Sequence, residues 1–299
     1  MLVFNRLVKR KKMNLNIEKL LGFEGKTVVI TGAASGMAHS AAELLLSLGA
    51  KVYAIDMNEV DLPVEKAIKG NLSDKNAIDS VVSELPERID IVYMCHGVGL
   101  RPDREKMIQM VNFVGQRYMA EALLPKIADS GAITFISSSG GYGWEHNMKN
   151  VGALLETASF EEAEHWVEAN INMFKQEGPD PYQFSKQCLS AYVKSKTRDE
   201  AFIGRKIRIN AIAPSFTSTP LIKDFNAAVS KDGTNESGEA EMYNLFLKSW
   251  NGRPGKPEEM AYPLVITGSD VCSYLSGQVI YIDFGMTGEM DWKAATENR

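Results

Sequence analysis

The stretch Thr31-Gly-Ala-Ala-Ser-Gly36 constrains the fold more than any other, because of what stands on either side of it. Lys26-Thr-Val-Val-Ile30 before it is a short β-branched run, which favours a strand. Ser40 to Leu48 after it is helix-forming and stops at Gly49, a common C-terminal end of a helix. Glycines between a strand and a helix permit a tight turn and close backbone approach. The helix start then offers free N–H groups and a positive dipole end to a diphosphate.

The same alternation runs on. Val52–Ile55, Ile89–Met94, Ala132–Ile136, Ile207–Ile212 and Gln278–Ile282 read as strands. Ser73–Leu85, Glu105–Ile127, Tyr182–Ile203 and Glu258–Ile266 read as helices between them. Strands separated by helices pair in parallel through right-handed crossovers. Their continuous apolar character fits a sheet covered on both faces. The expected fold is α/β: a single-domain, doubly wound parallel sheet of the Rossmann type. Residues 23–299 would form it, with 1–22 as an N-terminal extension, since no repeat or linker divides the 299 residues.

Two long insertions interrupt the pattern. Gly143 to Pro179 is charged and mostly helical, with a capping-box form at Ser159-x-x-Glu162 and an apolar stripe of Phe160, Ala163, Val167 and Ile171. Phe216 to Gly252 is rich in Phe, Met, Tyr and Trp. Long insertions in compact domains are usually lids or binding loops. Lys9-Arg-Lys-Lys12 closes a basic N-terminal segment, read either as a mobile tail with Met13 as an alternative start or as a piece that packs near the cofactor cleft.

The net charge of −5 gives no electrostatic case for nucleic acid or an anionic membrane. No apolar run is long enough for a membrane span. Cys95, Cys188 and Cys272 read as reduced thiols of a cytoplasmic protein. His96 beside Cys95 has no second cluster at metal-ligand spacing, so no metal is expected.

Asp56 ends the second strand, 20 residues after Gly36. A carboxylate there accepts hydrogen bonds from ribose hydroxyls and repels a 2′-phosphate. Neither residue of Met57-Asn58 offers a compensating cation. The expected cofactor is NAD. Farther on, Tyr182 and Lys186 stand four apart in Pro181-Tyr-Gln-Phe-Ser-Lys186, one turn apart on a helix face. A cation there favours phenolate, lowering the tyrosine from roughly 10 toward a working general acid/base.

Taken together these residues resemble the short-chain dehydrogenase/reductase family, from about Phe23 to Gly285. The glycine motif is similar to the family's, with Ala38 in place of the last glycine. The resemblance implies a catalytic tetrad of Asn112, Ser138, Tyr182 and Lys186. It implies cofactor contacts from Gly32, Ser35, Gly36, Met37, Asp56, Asn71, Leu72, Cys95, Gly97, Thr217 and Thr219, besides Tyr182 and Lys186. Met94-Cys-His-Gly97, Pro214-Ser215 and Asp283-Phe-Gly285 depart from the family pattern.

A narrower similarity is to bacterial hydroxysteroid and coniferyl alcohol dehydrogenases. Only fourteen residues separate Asp56 from Asn71, Pro63 among them, too few for a full crossover helix, and Tyr182 comes 44 positions after Ser138, a longer gap than typical members have. The implied reaction is reversible oxidation of a secondary alcohol with NAD. Tyr182 would exchange the alcohol proton, Lys186 would tune it and hold the ribose, and Ser138 would bind the substrate oxygen. Asn112 would place a relay water, and Thr217 and Thr219 would hold the carboxamide. Phe216, Leu221, Ile222, Phe225, Met242, Tyr243, Leu245, Phe246 and Trp250, with Trp144 and Met148, suggest a wall for a flat apolar substrate. A steroid or bile-acid alcohol of the 3α or 20β type fits, with an aromatic alcohol of the coniferyl type as the alternative. A catalytically idle NAD-binding protein is the non-enzyme alternative. A homodimer or homotetramer is implied, with the helices of Asn112 and Lys186 at the usual interface. The first insertion would cover that interface and favour a dimer.

Overall fold

The computed structural model describes residues 16–174 and 180–297. The basic N-terminal segment, with both readings of it, lies outside the described residues, as does the end of the first insertion at 175–179.

The strands are β1 (Thr27–Thr31), β2 (Lys51–Asp56), β3 (Lys66–Lys69), β4 (Ile89–Met94), β5 (Ile127–Ile136), β6 (Arg208–Pro214) and β7 (Val279–Ile282). They form one sheet in the order β3-β2-β1-β4-β5-β6-β7, with every pairing parallel. The strand order reverses at β1 and β4, so the crevice beyond their carboxyl ends is where an open α/β sheet takes its ligand. Side chains alternate across β1: Val29 joins one core, while Val28 and Ile30 join the other. A sheet buried on both faces explains the unbroken apolar strands.

The helices, in chain order, are α1 (Ile17–Leu21), α2 (Gly36–Ser47), α3 (Lys75–Ser83), α4 (Glu105–Gln109), α5 (Gly115–Leu123), α6 (Met148–Leu155) and α7 (Phe160–Ala169). Then come α8 (Pro181–Ser195), α9 (Glu200–Ile203), α10 (Ile222–Val229), α11 (Asn235–Met242), α12 (Pro257–Gly268) and α13 (Met286–Glu297).

Several elements differ from expectation. The short gap after Asp56 holds no helix, and the chain returns as edge strand β3. Its Lys-Ala-Ile-Lys sequence buries only Ile68, so it lacks an apolar run to read. The long helix expected over 105–127 is broken. A π-turn, Met110–Val114, separates α4 from α5, and Pro125 lies in a 3₁₀ turn where it cannot donate onward. Ile127 opens β5 instead. The helix expected to reach Ile203 ends at Ser195, and Asp199 starts α9 afresh by accepting from Ala201 N at 3.0 Å.

In the first insertion, Ser159 accepts from Glu162 N at 3.1 Å. Glu162 reaches back to Ala158 N at 2.8 Å, one residue before the cap. Phe160, Ala163 and Val167 are buried, and Trp166 stacks on Phe184 of α8 at 6.0 Å. The buried Arg117 of α5 pins the α6–α7 turn by donating to Leu154 O (3.3 Å), Thr157 Oγ1 (3.0 Å) and Ser159 O (3.3 Å). The insertion thus covers the helices that carry the candidate site.

Candidate active site

The turn after β1 needs its glycines. Gly32 has φ +75°, and a Cβ there would meet the His96 backbone at 2.9 Å. Gly36 has φ +62°, and its Cβ would press on Thr219 Cγ2 at 3.1 Å. A side chain at either place is strained. The turn brings β1, the end of β4 and the loop after β6 together. Ser35 precedes α2 but gives no side-chain cap, so the first N–H groups of this twelve-residue helix remain for a ligand. Ala38, in place of a third glycine, is buried in the core.

Asp56 at the end of β2 accepts from Ala34 N at 3.1 Å and from Asn58 N at 2.8 Å. A carboxylate has about four acceptor positions, so capacity is left for hydroxyls. Asn71 is exposed and its Oδ1 accepts from Ser73 N and Oγ, at 3.1 and 2.8 Å. Leu72 is buried, and its carbonyl comes close enough to Gly115 to exclude a Cβ there.

Asn112 sits in the π-turn, an interruption frequent at functional sites. It is buried and clasps the loop after β4. Its Oδ1 accepts from Val98 N at 2.8 Å, and its Nδ2 donates to Val98 O (3.0 Å) and Ser185 Oγ (3.3 Å). A Cβ on Gly97 would lie 3.2 Å from Asn112 Oδ1 and 3.8 Å from Lys186 Nζ. Glycine, amide and ammonium therefore converge.

Asp180 starts α8 by accepting from Tyr182 N (2.8 Å) and Gln183 N (3.0 Å), an N-cap that fixes the turn bearing Tyr182. One turn on, the buried Lys186 donates to Ile136 O at 2.9 Å, leaving two of its three N–H donors for another acceptor. Its Nζ lies 5.7 Å from the centre of the Tyr182 ring. Ser138, just beyond β5, accepts from Gly140 N at 3.1 Å.

Burial governs the protonation here. It pulls the Lys186 ammonium down to about 8. It pushes the Tyr182 phenol up to about 12, against a lowering hydrogen bond from Ser138 and with a small further rise from Asp180. The expectation that Lys186 depresses the phenol is therefore not met. Desolvation dominates, and the hydrogen bond that favours phenolate comes from Ser138. Burial, with Lys186 adding to it, also holds His96 neutral at about 3. Its Nδ1 lies 2.8 Å from Thr31 Oγ1. Burial raises the Cys95 thiol well above its usual range, with Lys186 opposing.

A cavity of ≈ 510 Å³ opens against these groups. Met37, Cys95, Gly97, Ser138, Tyr182, Lys186, Thr217 and Thr219 all line it. Gly32, Ser35, Gly36, Asp56, Asn71, Leu72 and Asn112 lie outside its lining, along the turn and crevice or behind it. Phe216, Leu221, Ile222, Phe225, Met242, Phe246 and Trp250 form the expected apolar wall. Phe225 meets the Tyr182 ring edge-on at 4.8 Å. Arg101 latches the lid helix α10 by donating to Asp224 at 2.7 Å. Four residues expected in the wall are not there. Trp144 packs on the core, Met148 is exposed, and Tyr243 and Leu245 turn outward from the π-turn Tyr243–Leu247.

Helix α13 is not expected from the sequence. Asp283 caps it, accepting from Thr287 N (2.8 Å) and Oγ1 (2.6 Å). Met286, Glu289, Met290 and Lys293, at helical spacing, face the cavity. Phe284 sits at φ +56°, where the family pattern has the glycine that such a backbone favours. Among the described residues no cluster of His, Cys, Asp or Glu could hold a metal ion.

The glycine turn, the uncapped helix start, the strand-end carboxylate and the spare lysine donors together fit a nicotinamide dinucleotide. A family model described as enoyl-(acyl carrier protein) reductase matches residues 32–287. The coniferyl-alcohol dehydrogenase of a Pseudomonas species is 28% identical over 262 residues, 87% of this chain and 96% of that protein. The 3-alpha-hydroxysteroid dehydrogenase/carbonyl reductase of Comamonas testosteroni is 26% identical over 265 residues, covering 88% and 97%. The solved 3-alpha-hydroxysteroid dehydrogenase from a Pseudomonas species, complexed with NADH, superposes with a TM-score of 0.71 over 89% of this chain and 98% of that one, at 22% identity. That likeness concerns the fold.

Proposed function

The chain belongs to the short-chain dehydrogenase/reductase family, whose members are nicotinamide-dependent oxidoreductases, and we propose that it reversibly oxidises a ring or side-chain hydroxyl of a steroid or bile acid with NAD(H). The carrying observation is the ≈ 510 Å³ cavity, walled by large apolar side chains and polar at Ser138 and Tyr182. Ligand pockets of roughly 300–1,000 Å³ with few placed polar groups suit one compact apolar molecule.

Bound nicotinamide supplies the hydride acceptor or donor. The residues of the chain do the rest. Asp56 accepts from the adenosine ribose and repels a 2′-phosphate. The turn from Gly32 through Met37 takes the diphosphate, with Asn71 and Leu72 beside the adenosine. Cys95, Gly97, Thr217 and Thr219 border the nicotinamide half, and Lys186 donates to its ribose. Ser138 donates to the substrate oxygen. Tyr182 gives a proton to the ketone in reduction and takes it back from the alcohol in oxidation. Asn112 holds the loop that closes over Lys186.

The identity to coniferyl-alcohol dehydrogenase supports a second reading, an aromatic primary alcohol as substrate. Assays with both nicotinamide cofactors, steroid ketones, bile acids and coniferyl alcohol separate the two. Turnover of steroid ketones with NADH is expected, and turnover of coniferyl alcohol alone would overturn the steroid reading. The insertion packed over α8 favours a dimer, which light scattering tests. Three free cysteines support a cytoplasmic location; among the described residues no helix is long and apolar enough to cross a membrane.

A further inference from the structure

Four charged side chains line the cavity: Asp180, Lys186, Glu289 and Lys293. Three have full or internal duties. Asp180 caps α8, and Lys186 serves the buried end. Glu289 spends one carboxylate oxygen on Trp250 Nε1 at 3.2 Å and the other on Lys293 Nζ at 2.8 Å. Lys293 has three donors, Glu289 as its hydrogen-bonding acceptor and Glu297 as a second carboxylate acting through charge alone, so two donors remain. It stands at the solvent mouth, its side chain 62% exposed, on the same face of α13 as the cavity-lining Met286 and Met290.

The helix is held in place there. Asp283 caps its start, and Tyr142 donates to Asp291 at 2.6 Å. Glu289 ties the lid residue Trp250 to the helix, so the lysine is positioned at the rim of an apolar chamber. A substrate with its carbonyl at Tyr182 and its body among the aromatic residues would share the cavity with this ammonium, since both side chains line it.

We propose that Lys293 is a specificity-determining residue that binds an anionic group, a carboxylate, on the end of the substrate opposite the reacting carbon. Within the steroid reading, on which the choice of probe rests, this selects acids of the bile-acid type over neutral steroids.

The test is calorimetric binding to NAD-loaded enzyme, which cannot reduce a ketone, using 3-oxo-5β-cholanoate and its methyl ester. The acid should bind the wild type roughly two- to fivefold tighter than the ester, the size expected of one exposed charge pair. Lys293→Met should erase that difference and Lys293→Arg restore it. Equal affinity for acid and ester in the wild type, a preference that survives Lys293→Met, or failure of both probes to bind would each overturn the inference. Binding with the charge preference but without turnover by NADH would instead refute the steroid-dehydrogenase reading and leave the role of Lys293 standing.

Discussion

The values at Tyr182 and Lys186 translate into a pH dependence that differs between the two directions of reaction. Ketone reduction needs a protonated phenol and a charged ammonium. With the phenol near 12 and the ammonium near 8, both are in place up to about pH 8. Above it the charged ammonium falls tenfold per pH unit. Alcohol oxidation needs phenolate with ammonium. That pair is populated in roughly one molecule in 10⁵ at pH 7, rises tenfold per unit, and levels near one in 10⁴ above pH 8, where further phenolate is offset by lost ammonium. Both profiles of kcat/KM should therefore break near pH 8. Reduction should be flat and then fall, and oxidation should rise and then level. Lys186→Arg keeps its charge across this range, so its residual activity should lose the break in reduction. Stopped-flow or steady-state assays from pH 6 to 10 in both directions give the answer. Reduction that stays flat to pH 10, or a break unmoved in Lys186→Arg, would refute the assignment of the break to the lysine.

Other perturbations follow from the same contacts. Asp56→Ala removes the charge that opposes a 2′-phosphate, so the kcat/KM ratio of NAD to NADP should fall at least about tenfold, or about 1.4 kcal/mol. An unchanged ratio would place cofactor selection elsewhere. Arg101→Ala frees the lid helix from the loop after β4. With the arginine half exposed and Asp224 largely covered, the loss should cost about 1 kcal/mol, the upper end for such pairs, read as a roughly fivefold rise in substrate KM. Asp224→Ala should add little to it in a double-mutant cycle.

Strong local signals made much of the fold readable. The β-branched run before Gly32 and the glycines that end elements place β1 and α2 without tertiary information. The edge strand β3 escaped notice because one exposed side leaves a single buried residue, Ile68, in four. The π-turn around Asn112 has no composition signal, since Met110-Val-Asn-Phe-Val114 is equally good α-helix. The C-terminal helix was missed although Asp283 caps it and Met286, Met290 and Lys293 share a face. Its apolar stripe faces a cavity rather than a core. At the candidate site, residue types and spacings reveal the Tyr182–Lys186 pair but not its protonation. The direction of the Tyr182 shift depends on how deeply neighbouring elements bury the ring, Phe225 of the lid among them, and no local pattern encodes that depth.

Turnover and cofactor binding by Tyr182→Phe test the central claim most directly. The substitution deletes one hydroxyl and keeps the ring that packs on Phe225. Steroid ketone reduction should fall by about 10²–10⁴, the usual worth of a positioned proton donor. NADH affinity, followed by its fluorescence on binding, should stay within about twofold, well under 1 kcal/mol. Turnover at the wild-type rate would contradict Tyr182 as the proton donor. Loss of NADH binding in step with activity would show that the phenol serves the cofactor rather than the reaction.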